Sequence, residues 1–262
     1  MNGKDGIVET GIGTSNLRSL GRRATIAEVT TLLDTALDID VRYIDTADTY
    51  GAGSAERALG TAVKRSPRLA TAAHRFRIIT KGGYRFPDLP RPFRGLNQLT
   101  KRARSVLGTP MRFDTDYLER ALRASRNRLG GLPIYAYCLH NPPSAVLEDG
   151  SAVKALARLR ESRAFTKVGV SIDEFDDAVT VARLVDVDLL ELPAAAYVAL
   201  PRPVLERLRA SGVEIVVNRV SALDQDPAVA LRRLRTLDLA PHVAVVGTRN
   251  PAHLRANATM LK

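Results

Sequence analysis

Eight short apolar runs of strand character recur along this chain of 262 residues, and between them lie stretches whose apolar residues repeat with a helical period. The runs fall near residues 7–12, 43–45, 77–81, 135–140, 167–171, 189–192, 214–218 and 244–247. The helical stretches cover residues 25–38, 54–64, 116–129, 151–160, 173–184, 203–211 and 227–237. In the first of these, Ile26, Val29, Leu32, Leu33, Ala36 and Leu37 form one stripe, as a helix packed on a sheet requires. Strand and helix in alternation predict a parallel sheet with crossover helices. A count of eight predicts the closed α/β form, a (β/α)8 TIM barrel, over an open doubly wound sheet. The turn after the first run, G-I-G-T-S-N, carries Gly11 and Gly13 but has Asn16 where a dinucleotide fingerprint needs its third glycine. A single barrel domain over residues 1–262 fits the length.

Composition narrows the partners. No apolar run approaches the roughly 20 residues that cross a bilayer, and residues 1–6 lack the basic-then-apolar layout of a signal peptide. The expectation is a soluble, cytoplasmic protein with no membrane partner. Lys and Arg total 39 against 28 Asp and Glu, which suits an anionic ligand or reflects a general basic bias. The basic residues are spread over nearly every helix and aromatics make up only 5%, so no nucleic-acid partner is expected. Only residues 84–112 concentrate them: Arg85, Arg91, Arg94, Lys101, Arg102, Arg104 and Arg112 are mixed there with Pro, Gly and Phe. That composition predicts a long functional loop with room for one short helix. The single cysteine, Cys138, excludes an internal disulfide and reads as a buried strand thiol rather than a nucleophile.

The carboxyl ends of barrel strands are where catalytic groups collect, and three consecutive runs end in polar residues. The second ends at Asp45 and opens into T-A-D-T-Y-G, with Tyr50 in its loop; the third ends at Lys81; the fourth ends at His140. A phenol with a pKa near about 10 is a poor acid at neutral pH, but an adjacent ammonium stabilises the phenolate and lowers that value. Lys81 can serve Tyr50 in this way, Asp45 can keep Lys81 charged and oriented, and a neutral His140 can donate to a substrate carbonyl oxygen. Such a site protonates an oxyanion and needs electrons from a hydride cofactor. Near the end of the chain a strand runs into G-T-R-N and a helix, offering backbone N–H groups from Gly247 onward, with Arg249 and His253 as candidates for a phosphate.

With D-T-A-D-T-Y-G followed by Glu56, then I-T-K, L-H-N-P, G-V-S and V-V-G-T-R-N-P-A-H-L-R-A-N, the chain resembles the aldo-keto reductase family over almost its whole length. The resemblance implies the barrel fold, NADPH-dependent reduction of an aldehyde or ketone, and a catalytic tetrad of Asp45, Tyr50, Lys81 and His140 with Tyr50 as general acid. It implies that Thr248 and Asn257 join Arg249 and His253 around the adenosine 2′-phosphate, with Ala256 in place of a common Glu. It also assigns the nicotinamide carboxamide to Ser171 and to the positions of Ile172 and Glu191, where the family commonly has Asn and Gln. Asn218 and Arg219 stand where an aromatic often stacks on the ring. Against the family pattern, the connection from Asn218 to Ala244 and the C-terminus are short, so the late loops over the substrate are reduced.

Three functions stand open at this point. One is an NADP(H)-dependent carbonyl reductase; another is a non-redox biosynthetic dehydratase, lyase or cyclase that uses the same Tyr50, Lys81 and His140 with the cofactor held weakly or absent. The third is a non-catalytic subunit. The expected partner is a small carbonyl compound or an anionic substrate met by the basic 84–112 segment. The sequence leaves the oligomeric state open.

Overall fold

The computed structural model describes residues 8–17, 23–84 and 111–261. Its strands are β1 (Glu9–Gly13), β2 (Tyr43–Asp45), β3 (Arg77–Gly82), β4 (Ile134–His140), β5 (Lys167–Ser171), β6 (Leu189–Pro193), β7 (Glu214–Asn218) and β8 (Val243–Val246). Each pairs in parallel with the next, and β8 returns to β1, so the sheet closes into a barrel. The expected strands are therefore all present. The sequence-based start of the first, at Ile7, lies outside the described residues, and the last ends at Val246 because Gly247 already belongs to the exposed turn beyond it.

The helices ring the sheet: α1 (Ile26–Asp38), α2 (Ser54–Arg65), α3 (Pro67–Ala72), α4 (Thr115–Leu129), α5 (Ser144–Asp149), α6 (Ser151–Arg160), α7 (Phe175–Val181), α8 (Ala194–Ala199), α9 (Arg202–Ala210), α10 (Pro227–Arg235) and α11 (Pro251–Leu261). None is long and apolar enough to cross a membrane. Local chemistry sets their ends. Thr25 accepts from the backbone of Glu28 while Glu28 accepts from the backbone of Thr25, a reciprocal cap that starts α1. Asp114 caps α4, and Gly130 ends it in the left-handed conformation. The stretch expected as a helix over 173–184 is shorter at both ends: Asp173 is tied to neighbouring loops by Arg219 and Asn141, and after Val181 the chain tightens into turns in which Arg183 and Leu184 donate to the Thr180 and Val181 carbonyls. At Gly60, α2 touches α4 so closely that a Cβ would lie 2.7 Å from the Leu129 carbonyl.

Side chains alternate between two buried layers. Outward-facing Ile44, Ile78, Tyr137, Leu139, Val168, Val170, Leu190 and Ile215 pack under the helices. Inward-facing Tyr43, Ile79, Ala136, Cys138, Leu189, Val216, Val243 and Val245 fill the barrel. Cys138 is fully buried, as expected, and Gly169 opposite it leaves the room its sulfur needs. The amino-terminal floor is polar. Glu214 accepts from the Tyr43 hydroxyl, the Tyr135 hydroxyl and the Lys167 ammonium, each at 2.6 Å. Arg77 donates to Tyr43 at 2.6 Å and lies over the Tyr43 and Tyr135 rings.

One irregularity reconciles this floor with the mouth above it. Between Ile78 and Ile79 the pairing of β3 with β4 skips a residue, with Ile78 opposite Ile134 and Ile79 opposite Ala136. The extra residue, Tyr135, is a β-bulge that lets two successive residues, Tyr135 and Ala136, both face inward. Beyond the bulge the alternation sends Cys138 and His140 to the interior.

Candidate active site

The loop after β2 is laid across the end of β3. Thr46 donates its backbone N–H to Ile79 at 2.9 Å and Asp48 donates to Lys81 at 3.2 Å. The chain then reverses through Gly51, Ala52 and Gly53, all with positive φ of 57°, 52° and 73°. Two glycines in that run relieve the left-handed backbone, whereas Ala52 holds it at a cost. Just before this reversal, a turn in which Tyr50 donates its backbone N–H to the Ala47 carbonyl at 3.1 Å sets the half-buried Tyr50 at the barrel mouth, where its ring centre lies 5.3 Å from the Lys81 ammonium.

Lys81 is 1% exposed and pairs closely with Asp45. It also donates to the Thr46 carbonyl at 3.1 Å and lies 3.1 Å from Glu191 Oε2 on β6. That last contact is an ion pair in distance but lacks the direction of a hydrogen bond, since Glu191 Oε2 has no hydrogen-bonding partner among the described residues. Burial alone would push the Lys81 ammonium down, but the Asp45 and Glu191 carboxylates outweigh it and hold the value well above the lysine range. Burial and the Glu191 charge push Asp45 upward against the pull of Lys81.

His140 is held at 3.4 Å by the Thr49 hydroxyl on its Nδ1, edge-on to Tyr50 at 6.1 Å between ring centres and to Tyr84 at 5.0 Å. Burial, with Lys81 and Arg219 adding like charge, pushes its imidazole down to about 3, so it is neutral at physiological pH. Tyr50 departs from expectation. The Lys81 ammonium does act to lower its phenol, but burial, with Asp45 and Glu191, raises it further, and the net value stands above the ordinary tyrosine range. Asp45, Tyr50, Lys81 and His140 are thus brought together as expected, with a second carboxylate that sequence reasoning did not place against them.

Around this group the rim is built from strand-end residues. Asn218 at the end of β7 donates to Glu191 Oε1 at 2.6 Å, which leaves its own Oδ1 buried and without a partner among the described residues. Because a carboxylate only accepts, the amide nitrogen must face Glu191. Ser171, at the end of β5, pairs in register with Glu191. Asn141 and Arg219, the residues after β4 and β7, adopt positive φ of 47° and 49° and converge on Asp173. Farther out, Thr248 follows exposed Gly247, and Asn250 caps α11 through its side chain at 2.9 Å. Arg249 and His253 are exposed there, with half-buried Asn257 one helical turn beyond His253. Of the basic segment, Arg85, Arg91, Arg94, Lys101, Arg102 and Arg104 lie outside the described residues. Its ends meet in a bridge between Tyr84 and Met111, and Arg112 is paired with Asp114 at 2.7 Å.

The model of the aldo/keto reductase family matches residues 9–223. The chain belongs to the aldo/keto reductase family. Among curated members, a D-threo-aldose 1-dehydrogenase from a Pseudomonas species is 30% identical over 199 residues, covering 74% of this chain and 58% of that protein. A pyridoxal 4-dehydrogenase from Microbacterium luteolum is 26% identical over 191 residues, covering 66% of this chain and 55% of that one. The chain therefore spans less than two thirds of the length of these relatives. Among solved structures, PA4992 from Pseudomonas aeruginosa superposes with a TM-score of 0.74 at 22% identity, covering 97% of this chain and 89% of its own. The holo form of aldo-keto reductase AKR11C1 from Bacillus halodurans gives 0.73 at 18% identity, covering 98% and 87%. As an aldo/keto reductase by fold, the chain carries Asp45, Lys81 and His140 on its second, third and fourth strands and Tyr50 in the loop after the second.

Proposed function

We propose that this chain is an NADP(H)-dependent oxidoreductase that reduces the carbonyl group of a small aldehyde or ketone, with Tyr50 as the proton donor. One observation carries this reading: a buried, carboxylate-held Lys81 ammonium 5.3 Å from the Tyr50 ring centre, with a neutral His140 beside both. Tyr50 stays protonated at neutral pH and so is loaded for donation; Lys81 then steadies the phenolate left behind. If the Thr49 hydroxyl donates to Nδ1, the His140 proton sits on Nε2, where it can hydrogen-bond the substrate oxygen. Family membership and the dehydrogenase names of the curated relatives support an oxidoreductase.

The residues present fit the nicotinamide cofactor that the family generally uses. The orphan acceptor on Asn218 and the Ser171 hydroxyl match a carboxamide, with Glu191 behind Asn218. Gly247, Thr248 and Arg249 before α11, with His253 in its first turn and Asn257 one turn further on, would hold the adenosine 2′-phosphate. When bound, the cofactor supplies the hydride. Titration of the protein with NADPH, followed by cofactor fluorescence, tests this directly. Tyr50→Phe is expected to cut carbonyl reduction by about 100-fold or more while leaving NADPH affinity within about threefold. Absence of NADP(H) binding at micromolar concentrations overturns the reading.

A second reading is favoured by the engagement of Glu191 with Lys81 and Asn218, which withdraws it from the carboxamide. Under it the same Tyr50, Lys81 and His140 perform proton transfer without redox chemistry. Turnover of a substrate with no cofactor present, lost in Tyr50→Phe, would select it.

A further inference from the structure

We propose that Glu191 is a positioning residue for proton transfer, competing with the Tyr50 oxygen for the third N–H of the Lys81 ammonium and so setting the pH range in which Tyr50 works. The proposal rests on the assignment of Tyr50 and Lys81 to proton transfer made above. An ammonium has three donors. Two are directed, one to Asp45 and one to the Thr46 carbonyl. The third has two claimants, Glu191 Oε2 at 3.1 Å and the tyrosine whose ring centre is 5.3 Å away. Glu191 is 0% exposed, is fixed by Asn218 through its other oxygen, and has no hydrogen bond at Oε2 among the described residues. A buried acceptor without a partner, next to an ammonium with one donor to spare, is positioned to capture that donor.

The charges facing Tyr50 can be taken element by element. Asp45 on β2 and Glu191 on β6 are carboxylates, Lys81 on β3 is the ammonium, and Arg219 after β7 lies at the rim paired with Asp173. His140 and Cys138 on β4 are neutral, and Asn218 on β7 carries no charge. Removing the Glu191 charge therefore leaves the site with one fewer anion and frees the third Lys81 donor from a competing acceptor. Both changes favour phenolate, so both move its titration toward acid.

The test begins with the protein free of substrate. The ultraviolet difference spectrum of phenolate, taken against Tyr50→Phe in the same background, isolates Tyr50 from the other tyrosines. In Glu191→Gln, phenolate formation at Tyr50 is expected about one pH unit or more below that of the unmodified chain, as loss of a like charge within a few ångström predicts. Glu191→Asp restores most of the original position. Should Glu191→Gln fail to fold, Glu191→Ala must move the titration in the same direction. Coincident titrations in a natively folded Glu191→Gln protein overturn the inference. Where NADPH-dependent turnover is present, its pH profile moves with the phenolate; a shifted phenolate without such turnover keeps the inference and sinks the proposed function. A changed NADPH affinity in Glu191→Gln with an unmoved phenolate places the carboxylate in cofactor binding and overturns the proposal.

Discussion

At the scale of single residues, the separation between what sequence could and could not reveal is sharp. Asp45, Lys81 and His140 are legible because each ends an apolar run, where a polar side chain must either face solvent or serve a site. Glu191 lies inside a strand-like run, and besides Asn218 on neighbouring β7 it meets Lys81 across the barrel on β3, a pairing that no sequence spacing encodes. The rise at Tyr50 is equally hidden: burial causes most of it, with Asp45 and Glu191 adding to it, and of these influences the sequence makes legible only the neighbouring lysine and Asp45. His140 offers a check at this scale. Its folded value lies well below the ordinary 6.5, so the unfolded chain takes up a proton that the native one refuses. Stability contributed by His140 is thus present above pH 6.5 and lost as pH falls from there toward about 3. Asp45, raised by folding, works in the opposite sense, its contribution being kept in acid and lost as pH rises through its folded value. Comparison with His140→Gln isolates the first effect: the variant is expected to lose less stability between pH 7 and pH 5 than the unmodified chain, by up to about 1.4 kcal/mol for each pH unit below 6.5. Urea midpoints at the two pH values measure it.

At the scale of elements, periodicity located the helices because each buries one face, and the strands because a short run buried on both faces is apolar almost throughout. It failed where loops capture helix-forming residues, as Asp173 shows at the head of α7. Close approach is equally invisible in one dimension. Replacing a helical glycine by alanine ordinarily gains about 1 kcal/mol, but Gly60→Ala would drive a methyl into the backbone at Leu129. Overpacking outweighs propensity here, and a net loss of about 2 kcal/mol is expected in denaturant unfolding. The floor of the barrel makes a parallel case. Glu214→Ala strips the acceptor from two phenols and the Lys167 ammonium at once, and is expected to lower stability by about 3 kcal/mol. Tyr135→Phe removes only one donor to Glu214 and is expected to cost about 1 kcal/mol in the same assay.

Seen whole, the barrel interior is a thin apolar plug between two charged layers. Glu214, Lys167, Arg77, Tyr43 and Tyr135 close one end; Asp45, Lys81 and Glu191 occupy the other. The β-bulge at Tyr135 is what allows one strand to serve both. A regular strand has a single phase, so whichever residue it turns inward at the floor dictates, two by two, what it turns inward at the mouth. By skipping one position at Tyr135, β4 carries two phases in seven residues. The practical outcome is modularity. Floor and mouth can be rewritten separately: a one-residue deletion at Tyr135 would leave Ile134 opposite Ile78 and Ala136 opposite Ile79 in one regular phase, keeping the inward side chains of the mouth and removing only a phenol from the floor.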